Sequence, residues 1–197
     1  MSEKHSFRFP SDRAGLDFLA TLGARGTEEK FERLRRPVDL GRWFMEAGVL
    51  STAPEELTEN DVVQACRLRE AIHRVAVARM TCHAPLKGDV QLINTAAAVP
   101  PAIAQLSSDG ASVKRLVDDL LTGVASACLS SVARDAVDIL GSPLASRIKS
   151  CANPVCRALF LDLSRPNNRR WCSMGEGGCG NRAKTNARRI RLRADTK

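Results

Sequence analysis

The chain contains no tyrosine, two tryptophans and six phenylalanines, so aromatic residues make up 4% of it. Proteins that grip single-stranded nucleic acid stack bases on exposed rings, and so thin a supply argues against such a platform. Long apolar runs are missing as well. No window approaches the roughly 20 uninterrupted apolar residues that a membrane-crossing helix needs, because Arg, Asp and Lys cut the most apolar stretches. The opening residues, MSEKHSF, lead into no apolar segment of the secretory kind, which makes the reducing cytoplasm the expected compartment. Histidine is present three times. His73 shares a helical face with Cys66, and Cys82-His83 follows, but a lone His on an apolar face reads as core rather than as part of a second metal site or of a catalytic Cys-His pair.

Charge is abundant and unevenly placed. Residues 141–197 carry thirteen Lys plus Arg against three acidic residues, a net +10, whereas residues 1–140 carry seventeen against nineteen, a net −2. The whole excess of +8 therefore belongs to the C-terminal quarter. Such asymmetry is an electrostatic footprint for a polyanion, and nucleic acid is the simplest one.

The same quarter holds four of the seven cysteines in two close pairs, Cys151 with Cys156 and Cys172 with Cys179, fifteen residues apart. Two short Cys loops on such a spacer bring four thiolates to one tetrahedral zinc at low loop-closure cost. Asn153, Pro154, Gly175, Gly177 and Gly178 supply turn chemistry around the ion. Two disulfides, or four unrelated thiols, are the alternatives, and the expected reducing compartment disfavours the first. A four-thiolate site has no open position for water or substrate, so it would stabilise a small fold rather than catalyse. Cys66, Cys82 and Cys128 fall in helical segments and are expected to be plain core thiols.

Periodicity predicts a mainly α chain with small β hairpins: a helical N-terminal domain over 1–140 and a basic zinc module over 141–197, divided at Gly141-Ser142-Pro143. Expected helices run from a Ser11-Asp12 cap to Leu22, over 27–35, from Pro37 to a Gly48 stop, from the Thr58 cap to about Met80, over 86–99, and from Asp118 to Leu140. A hairpin is expected across Ser107-Ser108-Asp109-Gly110, and a second between the cysteine pairs, where Ala158–Leu163 would pair with Arg170-Trp171-Cys172. A knuckle, a hairpin and a last Cys opening a helix is a treble-clef order.

Cys179-Gly180-Asn181-Arg182, preceded by Arg169-Arg170-Trp171-Cys172-Ser173-Met174, resembles the CGNR zinc-finger family. Cys151-x4-Cys156, Phe160-x-Asp162-x-Ser164-Arg165 and Lys184 extend the likeness. Pro37-x-Asp39-Leu40-x-x-Trp43, Ala47-Gly48-x-Leu50 and Leu68-Arg69-Glu70-Ala71 resemble the helical ABATE domain that precedes this finger. The resemblance implies a zinc-binding, DNA-binding, stress-responsive transcription regulator. It departs from the family in spacing the second pair by six residues, through Gly175–Gly178, and in having Ala20-Thr21 where the family has Asn-Thr.

One zinc held by Cys151, Cys156, Cys172 and Cys179 is the expected cofactor. Arg165, Arg169, Arg170, Arg182, Lys184, Arg188, Arg189 and Arg193 are the expected contacts to nucleic acid, with duplex DNA favoured over single strand. Asn181 is expected to cap its helix. Arg25, Arg69 and Glu70 are candidate groups for a ligand pocket in the helical part, where a small-molecule effector would act, and the apolar helices leave homodimerisation open. Two further readings stand beside the regulator: a small-molecule-binding or enzymatic helical domain with the finger as scaffold, and an RNA-binding protein, since phosphate contacts alone do not distinguish DNA from RNA.

Overall fold

The computed structural model describes residues 6–54, 56–117 and 123–194. About half of the chain is helical, and the strands form three separate two-stranded antiparallel sheets. The longest helix, α3 (Glu59–Met80), begins where a reciprocal cap forms: Thr58 Oγ1 accepts the Asp61 N–H at 3.2 Å, and Asp61 Oδ2 accepts the Thr58 N–H at 2.8 Å. Its buried residues, Val62, Ala65, Leu68, Arg69, Ala71, Ile72, Val75 and Ala76, recur mainly at steps of three and four and form one broad inward stripe. α2 (Pro37–Glu46) opens on proline and buries Leu40, Trp43 and Phe44, and it ends before Gly48, whose φ of +65° suits glycine. Trp43 lies 4.7 Å, centroid to centroid, from the Phe18 ring at the centre of the core.

α4 (Lys87–Ala98) and α5 (Val124–Leu140) pack against each other and against α3. The N-terminal part of the helix expected over 118–140 lies outside the described residues. Short α1 (Ala14–Asp17) crosses α5 so closely that a Cβ on Gly15 would sit 2.6 Å from the Ala136 nitrogen. The cap of α1 comes from that neighbouring helix, since Asp135 Oδ2 accepts the Gly15 N–H at 2.7 Å while Oδ1 takes Arg13 Nε at 2.6 Å.

Two expected helices are replaced. The segment after Ser11-Asp12 is helical over only Ala14–Asp17, tightens to a 3-10 turn over Phe18–Thr21 and becomes extended in β1 (Leu22–Gly23). Ser11 is not a cap: its hydroxyl accepts the N–H of Leu161 and its own N–H donates to Asp17. The segment 27–35 contains β2 (Phe31–Glu32), which pairs with β1. Glu32 Oε1 accepts the N–H groups of Arg33 and Leu34, a local bond that competes with helix formation. The expected hairpin across 107–110 is present as β3 (Ile103–Leu106) and β4 (Val113–Leu116).

Past a 3-10 turn over Pro143–Arg147, β5 (Ile148–Ser150) pairs with β6 (Leu159–Leu161). The hairpin therefore spans the first cysteine pair, which forms its tip, rather than lying between the pairs, and Arg170 contributes only its carbonyl, to the Ala152 N–H. Alternation along β6 divides its side chains. Leu159 and Leu161 enter the main core with Ile148, whereas Phe160 turns to the four cysteines. α6 (Cys179–Ala194) is the last element among the described residues.

Candidate metal centre

Cys151 directly follows β5, and Cys156 lies at the end of a tight knuckle in which Asn153 Oδ1 accepts the Val155 N–H and Asn153 O accepts the N–H groups of Cys156 and Arg157. Such an Asx turn folds the backbone back on itself in five residues. Cys172 lies after the loop that leaves β6, and Cys179 is the first residue of α6. A Cβ on Gly180 would stand 2.1 Å from Met174 Sδ and 3.2 Å from Ser173 O, so a larger residue there would have to push the Met174 side chain aside for the helix to start against this loop.

The four sulfurs lie within 4.8 Å of one another, with Cys156 and Cys172 Sγ at 3.7 Å. Zn–S bonds of about 2.3 Å at tetrahedral angles place sulfurs about 3.8 Å apart, so the donor set fits zinc. All seven cysteines are free thiols, which removes the disulfide alternative. Phe160, Ala158 and Trp171 pack around the cluster. Crowding four thiols into one buried volume sets their ionisation against each other: bonds from Cys151, Cys156 and Cys172 hold Cys179 far below the usual thiol range, with Arg182 adding to the effect, while Cys151 foremost, then Cys156 and Cys179, drive Cys172 far above it. A divalent cation relieves that conflict by taking all four as thiolates. Cys179 also receives Asn153 Nδ2 at 3.4 Å and Arg182 Nη2 at 3.7 Å, the outer hydrogen bonds that orient a metal-bound sulfur.

Below the cluster, Asp162 is fully buried and ties the module together. Its Oδ1 accepts the Ser164 N–H and hydroxyl at 3.0 and 2.6 Å, and its Oδ2 accepts Lys149 Nζ at 2.9 Å and the Arg169 N–H at 2.7 Å. Burial pushes this carboxyl up, but the Ser164, Lys149 and backbone donors outweigh it and hold it well below the usual range. The sequence singles out neither Lys149 nor the metal-facing amide of Asn153. An acid set among basic residues is the one hint of the lysine, and the Asn153 amide carries no signal beyond its turn chemistry.

The basic residues fall into distinct settings. Lys184, Arg188, Arg189 and Arg191 are exposed on α6, and Arg193 continues the helix with a side chain outside the described ones. Asn181 lies in the first turn of α6, two residues beyond Cys179, so the capping position falls at Gly178 instead. Arg165 and Arg170 are exposed, the latter 5.7 Å from the Trp171 ring. Arg169 is spent inside the module: it stacks on Phe160 at 4.7 Å and donates to the carbonyls of Pro10, Trp171 and Cys172. Arg182 is directed at Cys179 and at a cavity beside it.

Arg25, Arg69 and Glu70 do come together, but with one another. Arg25 meets Glu70 through two bonds of 3.0 Å, and Arg69 bridges Glu70 at 2.8 Å and Glu32 at 2.7 Å, which fastens the β1–β2 ribbon to α3. Burial raises the Glu70 carboxyl, yet Arg25 first and Arg69 second bring it down to about 2. His73, beside them, is pushed down to about 4 by burial and then by Arg25. Cys128 is buried as expected, Cys66 is half-buried, and Cys82 is exposed past the end of α3 at φ +55°, contrary to its expected core position. The four-cysteine group is the one metal-ligand cluster among the described residues.

Residues 12–143 match the ABATE family, described as "Putative stress-induced transcription regulator", and residues 147–192 match the CGNR zinc finger. No curated protein matches the chain.

Proposed function

From the premise that this chain belongs to the ABATE family and carries a CGNR finger with one structural zinc, we propose that it is a regulator that binds duplex DNA through α6. The families are those of a regulator and a finger rather than of an enzyme, and the closed thiolate site leaves no coordination position for a substrate. The observation that carries the proposal is the setting of α6. From Lys184 to Leu192 every residue is exposed, so the helix leaves the body after its first turn. At about 100° per residue, Arg189 and Arg193 fall on one side, while Lys184, Arg188 and Arg191 fall nearly opposite. Two basic stripes on opposite flanks suit a helix lying in a major groove about 12 Å wide, where each flank meets one phosphate wall. The zinc and β6 anchor the helix root, and the helical part over 1–140, divided from the finger near Gly141, serves as sensor or association unit.

The test is fluorescence anisotropy of zinc-loaded full-length protein on duplex DNA across a salt series. Each phosphate contact contributes a slope of roughly −0.9 in log affinity against log salt, so replacing Lys184, Arg188, Arg189 and Arg191 together with Ala should flatten the slope by roughly three units or more. Absence of binding at low salt, or an unchanged slope in the variant, would reject the proposal. Preference for duplex RNA in competition would favour the RNA-binding reading instead.

A further inference from the structure

Between the helical part and the finger lies a cavity of about 400 Å³, within the size range of small-molecule sites. Leu22, Phe31 and Ala158 give it apolar walls, Arg8, Arg33 and Arg182 give it cationic ones, and no Asp or Glu is among its described lining residues. An adjoining cavity of about 580 Å³ includes Asp12 and Glu176 and so lacks this bias of charge. We propose that the smaller cleft binds a small organic anion, a carboxylate or phosphate monoester on an apolar body, and that Arg182 and Asn153 transmit its occupancy to the zinc centre.

The cleft is built rather than incidental. Arg33 is buried, with Nε donating to Ser6 O at 2.8 Å and Nη1 to Ala20 O at 2.9 Å, and its guanidinium stands 4.6 Å over the Phe31 ring. These bonds fix one positive group beside an aromatic wall before any ligand arrives, the pre-organisation that lowers the entropic cost of binding. Two glycines let the walls meet. A Cβ on Gly23 would stand 2.4 Å from the Phe31 ring, and one on Gly26 would stand 1.8 Å from Pro154 O in the cysteine knuckle, whose Val155 O accepts the Gly26 N–H at 3.3 Å. The ribbon and the knuckle therefore close the cleft as one rigid mouth.

Asn153 and Arg182 line the cleft and also donate to Cys179 Sγ, while Cys156 contributes to the wall directly. An anion drawn to Arg182 competes with the Cys179 sulfur for the same guanidinium. Outer hydrogen bonds to a ligating sulfur tune its donation to the metal, so occupancy alters how tightly zinc is held at the root of α6. Only the further step from α6 to DNA rests on the function proposed above, and the binding and the zinc coupling stand without it.

The experiment uses full-length zinc-loaded protein without DNA, titrated calorimetrically with 2-naphthoate and with its uncharged isostere 2-naphthamide. Naphthoate should bind saturably at one per chain, and naphthamide about tenfold or more weakly. Arg182→Gln, on an exposed residue, should weaken naphthoate about tenfold, Leu22→Phe should weaken both probes by filling the cleft, and Arg165→Gln, outside the cleft, should change neither. Naphthoate should also change the rate of zinc transfer to a chromophoric chelator in the parent protein and not in Arg182→Gln. Lack of saturable binding, equal affinity for the two probes, or equal losses in Arg182→Gln and Arg165→Gln would overturn the site. Saturable binding with an unchanged transfer rate would overturn the coupling. None of these readouts involves DNA, so failure of DNA binding is distinguishable from failure of the cleft.

Discussion

Replacing Asp162 with Asn tests whether one buried carboxylate organises the finger. The substitution keeps the shape of the side chain but turns one acceptor oxygen into a donor amide. Four donors converge on the acid: the Ser164 hydroxyl and N–H on one oxygen, and Lys149 Nζ and the Arg169 N–H on the other. Whichever way the amide is turned, two donors face a donor, and the Lys149 ammonium loses its counter-charge. Leaving buried donors unsatisfied costs about 1–3 kcal/mol each, and the effects overlap within one network, so the expected loss is about 3–5 kcal/mol. For a chain of this length that corresponds to a melting point lower by roughly 6–20 °C. The assay is thermal unfolding at saturating zinc, run with Asp162→Asn, Lys149→Met and the double variant. The two changes should be strongly non-additive, because each removes the same ion pair. A melting point within about 2 °C of the parent, or simple additivity, would refute the assignment of Asp162 as the hub.

Cys172→Ser should lose its zinc by elemental analysis while Cys66→Ser and Cys82→Ser retain one per chain, and the reverse pattern would dismiss the ligand set. Half-buried His73 and buried Asp17 should pull stability in opposite directions with pH. His73, held neutral down to about 4, contributes stability that is present above its unfolded value near 6.5 and is lost as pH falls. Asp17, pushed up to about 7 by burial, contributes stability that is present near pH 4 and is lost as pH rises. Between pH 5 and 6.5, urea unfolding of His73→Gln should therefore lose stability as pH rises relative to the parent, and Asp17→Asn should gain it. Identical pH slopes in all three proteins would refute both assignments. A 1–140 fragment lacks Ile148, Leu159 and Leu161, whose burial is worth about 1.5–3 kcal/mol each, so it should unfold at lower denaturant and with weakened cooperativity. A midpoint equal to that of the whole chain would show that these three residues add little to the helical core.

What is legible in the sequence is what short-range chemistry encodes. Thr58 with Asp61, Pro37 with Gly48, and the 107–110 turn each place their own signal within a few residues of the element they bound, and the two cysteine pairs announce their metal by spacing alone. The stretch over 11–35 misleads because its partners lie far along the chain. Asp135 caps α1 from α5, the Leu161 N–H donates to the Ser11 hydroxyl, and Arg69 holds Glu32 beside α3. None of those contacts leaves a periodicity. The partner of β6 is hidden for a related reason, since Leu159-Phe160-Leu161 is apolar on both faces and gives no sign of which face meets which core. Similarly, composition marks Arg169 and Arg182 as cations for a polyanion, whereas the fold engages Arg169 with backbone carbonyls and sets the exposed Arg182 against a cysteine sulfur.

That division of the arginines bears on how the finger works. Because β6 sends Leu159 and Leu161 into the helical core and Phe160 to the cysteines, the zinc module is a rigid extension of the helical part rather than a bead on a linker. The root of α6 is fixed from both sides: Cys179 by the metal cluster, and Gly180 by Met174 and by the Ser173 carbonyl that accepts its N–H at 2.9 Å. A helix so anchored cannot turn its basic stripes independently of the body. Any change in the cleft that displaces Arg182 from Cys179 is therefore felt at the first turn of the helix, one hydrogen bond away from the metal, and the direction in which the remaining arginines point is set by the same few contacts that hold the zinc.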